Sequence, residues 1–420
     1  MYQETILENQ LRVLTVPMPS ARSVAAGVYL AVGSRYESEA ENGASHFVEH
    51  MLFKGTRRRR ARDIANLIES VGGYANAGTG REGTAYYALM TPQHLSLALD
   101  LLSDMLLNAA FRPTELERER GVIVEEINRT LDTPDDLVYE LITGLEWPAS
   151  PVGRSIAGTH ETVTNMSRAQ LLAFKKRYYR PNTSAVVVAG PVQHEQVVAE
   201  AARYLAAWEP ADVPAPPPAP PRAEDRRLAV EIRGTEQAQM CLSLRGVARR
   251  DPDRYAVDIL TALLGDGMGS RLFQEIREKR GLAYSVDASS SHLRDTGAFV
   301  VYAGVPPERA PEALEAILEQ LDRVRRRQVT KGDLERAREY TKGHLLLGLE
   351  TPSANAGWVG SQVAQGLDII TPEQATASID AVTADDVRRV AHQIFDDSEP
   401  RLALVGPFED TQRFEELLKL

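Results

Sequence analysis

Two histidines and a glutamate within five residues, His46-Phe47-Val48-Glu49-His50, are the side chains best placed to do chemistry in this sequence. On a helix, residues four apart share a face about one turn apart, so both imidazoles can reach one divalent ion. Glu49 follows His46 by three and points the same way, where its carboxylate can take a proton from water. Imidazole nitrogens suit zinc, which in hydrolytic sites takes three protein ligands and keeps a fourth position for water. The competing reading is a pair of solvated histidines on a polar face, so the rest of the chain must decide.

A third ligand is sought first among the carboxylates of the helix predicted over residues 114–131. Glu115 and Glu117 read as a solvated acidic face. Glu119 and Glu126 lie seven apart, two turns along one stripe, close to apolar Val122 and Ile123. Carboxylates near a core face are costly unless they meet a cation or hydrogen-bond donors. Glu125 adjoins Glu126 but faces about 100° away, so only one of that pair can ligate. The six other histidines, His94, His160, His194, His292, His344 and His392, have no partner at ligand spacing and read as structural or surface residues.

The elements that must hold these residues follow from pattern. Val24–Leu30 reads as a strand, residues 45–53 and 61–71 as helices, and Tyr74 to Ala88 as a hairpin after Gly72-Gly73. Residues 93–108 carry an apolar stripe of Leu95, Leu99, Leu102 and Leu106. Strands and helices mix without a strict βαβ rhythm or a phosphate-binding glycine loop, which predicts an α+β fold of helices on mainly antiparallel sheets. The run from Pro210 to Pro221 holds seven prolines and favours extended polyproline geometry. It divides the chain into a domain over 1–209, a Pro-rich linker over 210–226 and a second domain over 227–420.

The halves repeat. Leu116-Glu117-Arg118-Glu119-Arg120 returns as Leu334-Glu335-Arg336-Ala337-Arg338, and Ala85-Tyr86-Tyr87-Ala88 as Ala298-Phe299-Val300-Val301. The matches are collinear, which points to duplication of a whole domain. In the second half, residues 240–245 and 298–304 read as strands and 253–264, 271–278, 311–326 and 331–348 as helices.

Composition sets bounds. With 43% hydrophobic and 25% charged residues, the chain has the make-up of a soluble globular protein. Its single cysteine, Cys241, excludes an internal disulfide and reads as core. No apolar run reaches the length of about 18 residues that a membrane helix needs, and no secretory leader is evident, so the expectation is a cytoplasmic protein with no membrane partner. A net charge of -11 argues against nucleic acid and suits cationic substrates. The basic runs Arg57–Arg60 and Arg325–Arg327 read as solvated surface.

The segment from His46 through Met51-Leu52-Phe53-Lys54-Gly55-Thr56, followed at this distance by Glu119-Arg120-Gly121-Val122-Ile123-Val124-Glu125-Glu126-Ile127, resembles the pitrilysin family of inverted-motif zinc metallopeptidases (inverzincins). It is most similar to bacterial members related to the mitochondrial processing peptidase β subunit, and the likeness spans nearly the whole chain. The resemblance implies that His46, His50 and Glu126 bind one zinc ion per chain, that Glu49 is the general base, and that Glu119 is a carboxylate beside the metal acting through a ligand. Arg277 and Tyr284 match the family's arginine and tyrosine seven apart, which reach the substrate in relatives. Asn76 and Ala77 match positions on an edge strand that pairs with an extended peptide. Gly78 departs from the family, whose members often carry an aromatic residue there. Glu82 reads either as a substrate carboxylate or as an ordinary hairpin charge, and the first reading is adopted.

The expectation is therefore a zinc-dependent endopeptidase of short or unfolded peptides, built as two homologous α+β domains that close a clamshell chamber. Carrying both the zinc set and the Arg277/Tyr284 pair in one chain favours a homodimer over a heteromer with a related subunit. The rival class is a non-catalytic structural or assembly subunit of a processing-peptidase-like complex, whose members usually lack part of the motif.

Overall fold

Apolar runs of each half, such as residues 185–189 and 298–303, become inner strands of two sheets. The computed structural model describes residues 2–221, 226–327, 329–396 and 399–418. In the first sheet the strands are β1 (Gln3–Ile6), β2 (Arg12–Pro17), β3 (Val24–Leu30), β4 (Tyr74–Thr79), β5 (Thr84–Met90) and β6 (Ser184–Gly190), in spatial order β1-β2-β6-β3-β5-β4. Only β2 and β6 run parallel; the other neighbours are antiparallel. Every residue of β3 and β6 is buried, as expected of strands covered on both faces. The Val-Val-Val core of β6 is a plain strand signal that the reading of the first half passed over.

The second sheet holds β7 (Leu228–Ile232), β8 (Ala238–Gly246), β9 (Ser285–His292), β10 (Gly297–Val305) and β11 (Arg401–Gly406), in order β7-β11-β8-β10-β9. Again one pair, β7 and β11, is parallel and the rest are antiparallel. This is the order of the first sheet without its outermost strand β1. Duplication is thus written in topology as well as in sequence, and the fold is α+β with mainly antiparallel sheets.

The chain divides into two compact units that do not coincide with its halves. Unit 1 comprises residues 1–127, 155–217 and 346–371; unit 2 comprises 128–154, 218–345 and 372–420. Each unit thus takes a helix from the other half of the sequence. In unit 1, Ala356, Val359, Val363 and Ala364 of the helix Pro352–Ala364 pack on Leu14, Ala25, Tyr29, Ala185 and Val187. In unit 2, Leu137, Val138, Ile142 and Leu145 of the helix Pro134–Glu146 pack on Ala229, Cys241, Ala403 and Val405. Division into contiguous segments at 209 and 227 misses this exchange, because an amphipathic helix does not encode which sheet it will cover. Cys241 is fully buried, as its strand context predicts. Of the proline-rich linker, residues 222–225 lie outside the described residues.

Close packing of the exchanged helix gives a measurable expectation. A Cβ on Gly360 would lie 2.4 Å from the ring of Tyr29, itself buried, whereas a Cβ on Gly357 would meet nothing within 4 Å. Gly360→Val should cost about 1–3 kcal/mol by overpacking. Gly357→Ala should gain about 0.5–1 kcal/mol from the stiffer unfolded chain and better helix propensity. Urea midpoints of the two variants should move in opposite directions.

Two arginines held in ion pairs correct the reading of the charges. Arg59, from the basic run, is not a solvated loop residue: its guanidinium pairs with Asp100 and Asp104 and fixes the loop after the motif helix. Arg35, 1% exposed, donates from Nη1 to Glu82 Oε1 at 2.6 Å and from Nη2 to Pro217 O at 2.9 Å. Among the described residues, no helix is long and apolar enough to cross a membrane.

Candidate metal centre

The motif lies on the helix Ala44–Phe53 of unit 1. Phe47, Val48, Met51 and Leu52 are buried on one side and leave His46, Glu49 and His50 on the other. The helix begins at Gly43, held at φ +94°, where a Cβ would also strike Ala157 O at 2.7 Å. Gly43 has no side chain to cap the helix, and Glu37 does so instead. Its buried carboxylate accepts from Gly43 N at 2.9 Å and Ser45 N at 2.7 Å. Burial pushes the Glu37 carboxyl up to about 7, against the pull of these backbone donors. A carboxylate here satisfies helix N–H groups that otherwise lack partners.

The acidic helix Pro113–Asp132 crosses beside it. Leu116, Ile123 and Ile127 face the core. Arg120 locks the crossing: its guanidinium lies 5.5 Å over the Phe47 ring and donates to Met166 O at 3.0 Å. Two carboxylates of this helix then reach the histidines in different ways. Glu126 Oε2 stands 3.7 Å from His46 Nε2 and 3.6 Å from His50 Nε2. Glu119 Oε2 instead meets the outer nitrogen, His50 Nδ1, at 3.1 Å, while its Oε1 accepts from Lys54 Nζ at 2.8 Å. Glu125 is exposed on another face of the helix.

Ligand atoms of His46, His50 and Glu126 all lie within 4.8 Å of one another, the one such group among the described residues. Tetrahedral zinc with bonds of about 2.0–2.1 Å sets neighbouring ligand atoms about 3.3–3.5 Å apart. The spacings to Glu126 are close to that, and two imidazoles with one carboxylate form a donor set zinc accepts, so the residues fit the ion. Electrostatics agree. Burial, with His50 beside it, lowers the His46 pKa to about 4, so its ring is neutral at pH 7 and its lone pair is available. Burial raises the carboxyl of Glu49; a hydrogen bond from Thr79 and the nearby His50 pull it back, and Glu126 adds to the rise.

The strand expected to meet a peptide is at the sheet edge. Among the described residues β4 pairs with β5 alone, with Asn76 opposite Tyr87 and Ala77 opposite Tyr86. Tyr74, Asn76 and Gly78 are exposed, and Ala75, Ala77 and Thr79 are half-buried. A Cβ on Gly78 would meet nothing within 4 Å, so that position is open. Ala77 N–H is capped by Asn76 Oδ1 at 2.9 Å. Glu82, by contrast, is 9% exposed and paired with Arg35 at the hairpin turn. Its partner is 47 residues away, which local pattern could not reveal.

Arg277 and Tyr284 lie in unit 2. Arg277 sits on the π-helix Phe273–Lys279, its guanidinium 4.9 Å over Phe273 and 5.5 Å over Tyr284. The pair is thus brought together, with Tyr284 exposed. The counterpart of the motif helix in this half, Arg254–Leu264, carries no histidine.

Three residues around the motif escaped the sequence reading. Lys54 had a signal, since it follows His50 by four on the same stripe. Thr79 shares the alternation of Ala75 and Ala77. Glu37 caps a helix it does not belong to, and nothing local marks it.

Known proteins resemble this chain in sequence and in fold. The family model described as insulinase (peptidase family M16) matches residues 12–160, and that described as peptidase M16 inactive domain matches residues 165–340. An uncharacterized zinc protease of Streptomyces coelicolor is 39% identical over 416 residues, covering 98% of this chain and 90% of that protein. An uncharacterized zinc protease of Bacillus subtilis is 33% identical over 400 residues, covering 95% and 97%. In fold, the crystal structure of a protease from Helicobacter pylori matches with a TM-score of 0.90 at 24% identity, covering 97% of this chain and 99% of that one.

Proposed function

The chain belongs to peptidase family M16, the pitrilysin family, and from that premise we propose that it is a zinc-dependent endopeptidase of short or unfolded peptides. The observation that carries this reading is the convergence of His46, His50 and Glu126 on one point, with Glu49 on the same helix face. Zinc, when bound there, supplies Lewis acidity that lowers the pKa of water toward about 7 and polarises a carbonyl. Glu49 takes the proton of the attacking water and delivers it to the leaving amine. Glu119 accepts from His50 Nδ1–H and so fixes the tautomer whose Nε2 faces the metal. Lys54 holds Glu119 from its other oxygen.

The edge of β4 binds an extended peptide by main-chain pairing, which recognises shape with little regard to sequence. The open space at Gly78 leaves room for a bulky side chain of the substrate. Arg277 and Tyr284 donate to peptide carbonyl and developing oxyanion, the roles that the family resemblance implies. The net charge favours cationic peptides. A homodimer in the cytoplasm is the assembly and place this reading assigns. The rival non-catalytic subunit would not need the full set of metal ligands, base and Arg/Tyr pair that this chain keeps.

The test is metal removal. Purified protein should cleave quenched extended peptides, basic ones faster than matched acidic ones. A chelator should abolish cleavage and added zinc restore it. Cleavage that persists without metal defeats the metallopeptidase reading, and a zinc-loaded protein inert to every peptide supports the rival.

A further inference from the structure

The open edge of β4 ends against the catalytic face of the motif helix, and Thr79 is the residue where they meet. Gly80 N–H bonds to Gly83 O at 2.8 Å at the head of the hairpin. In an antiparallel ladder main-chain groups alternate direction, so Gly78 and Asn76 turn theirs toward β5 while Ala75, Ala77 and Thr79 turn theirs to the open edge. The side chain of Thr79 lies on the same half-buried sheet face as Ala75 and Ala77, and those two alanines pack against the cluster that contains Phe47, Val48 and Met51 of the motif helix. Thr79 also reaches the carboxylate of the motif. Its hydroxyl donates to Glu49 Oε2.

We propose that Thr79 is a positioning residue for Glu49, tying the strand that pairs with substrate to the group that moves the proton. This rests on Glu49 acting as the base. A carboxylate on a flexible side chain has several rotamers, and a hydroxyl donor on a sheet strand selects one. The same residue thus belongs to the open edge strand and holds the carboxylate beside the metal ligands.

The experiment compares Thr79→Val, Thr79→Ser and wild type on one quenched peptide, with zinc affinity measured by chelator competition. Valine keeps the branched shape and the main-chain N–H but removes the hydroxyl. We expect kcat to fall about 10- to 100-fold, the usual effect of losing a hydrogen bond that orients a catalytic group, with KM and zinc affinity within about twofold of wild type. Serine should restore most of kcat. Thr79→Ala should show the same split should valine disturb the hairpin. Unchanged kcat in Thr79→Val, a parallel loss of zinc affinity, or no rescue by serine overturns the proposal. A wild-type protein that binds zinc yet cleaves nothing removes the base and this role together; an active wild type with an indifferent Thr79→Val removes this role alone.

Discussion

Glu49→Gln should bind zinc as tightly as wild type and lose about 10²- to 10⁴-fold in kcat, the span that a positioned general base contributes. Glutamine keeps the length of the side chain and an oxygen that can still accept from Thr79. It cannot take a proton. Glu49 is not among the three converging donors, whose ligand atoms belong to His46, His50 and Glu126, so metal affinity has no reason to change. Zinc content and peptide turnover measured on the same sample separate the two quantities. Full activity in the variant would remove Glu49 from the chemistry, while loss of zinc would make it a ligand. The distinction bears on the rival reading too: a non-catalytic subunit needs the motif helix only as scaffold, and its function would survive this substitution.

Much of this arrangement was legible because it rests on helix periodicity. His46, Glu49 and His50 share a face by spacing alone, and the heptad between Glu119 and Glu126 put both on one stripe. What spacing left open was which carboxylate faces the metal side of the imidazoles. That depends on how two helices cross, and the crossing is set by Arg120 on Phe47 and by buried Ile123 and Ile127. The α+β class and the duplication were legible for a similar reason, since repeated strands and helices carry their own periods. Three things were not. The exchange of the helices Pro134–Glu146 and Pro352–Ala364 is a choice of partner, and an apolar stripe specifies burial without specifying against what. The Glu37 cap and the Arg35–Glu82 pair join residues distant in sequence, and a charge in a hairpin gives no sign of whether it will be interior. Thr79 and Lys54 were in view as residues but not as partners, because a hydrogen bond across two elements has no sequence period.

Three single substitutions along the acidic helix should rank in zinc affinity in an order only the geometry dictates. Glu125→Gln should leave affinity unchanged, since that carboxylate is exposed on a different face. Glu119→Gln should weaken zinc about 10- to 100-fold, the usual cost of losing the partner that orients a ligand histidine. The amide oxygen still accepts from His50 Nδ1–H but no longer offers a charge to Lys54 Nζ, 2.8 Å away. Glu126→Gln should weaken it further still, by more than about 100-fold, because an outer partner alone is worth up to that factor and Glu126 stands directly across from both Nε2 atoms. Competition with a chromophoric chelator gives all three constants without any assay of turnover, so the ranking holds or fails whether or not a good substrate is in hand. Glu119→Gln weaker than Glu126→Gln would exchange the two roles. Equal, small effects in all three would mean that the histidines bind metal without this helix, and the site would then lack the third donor on which hydrolytic zinc depends.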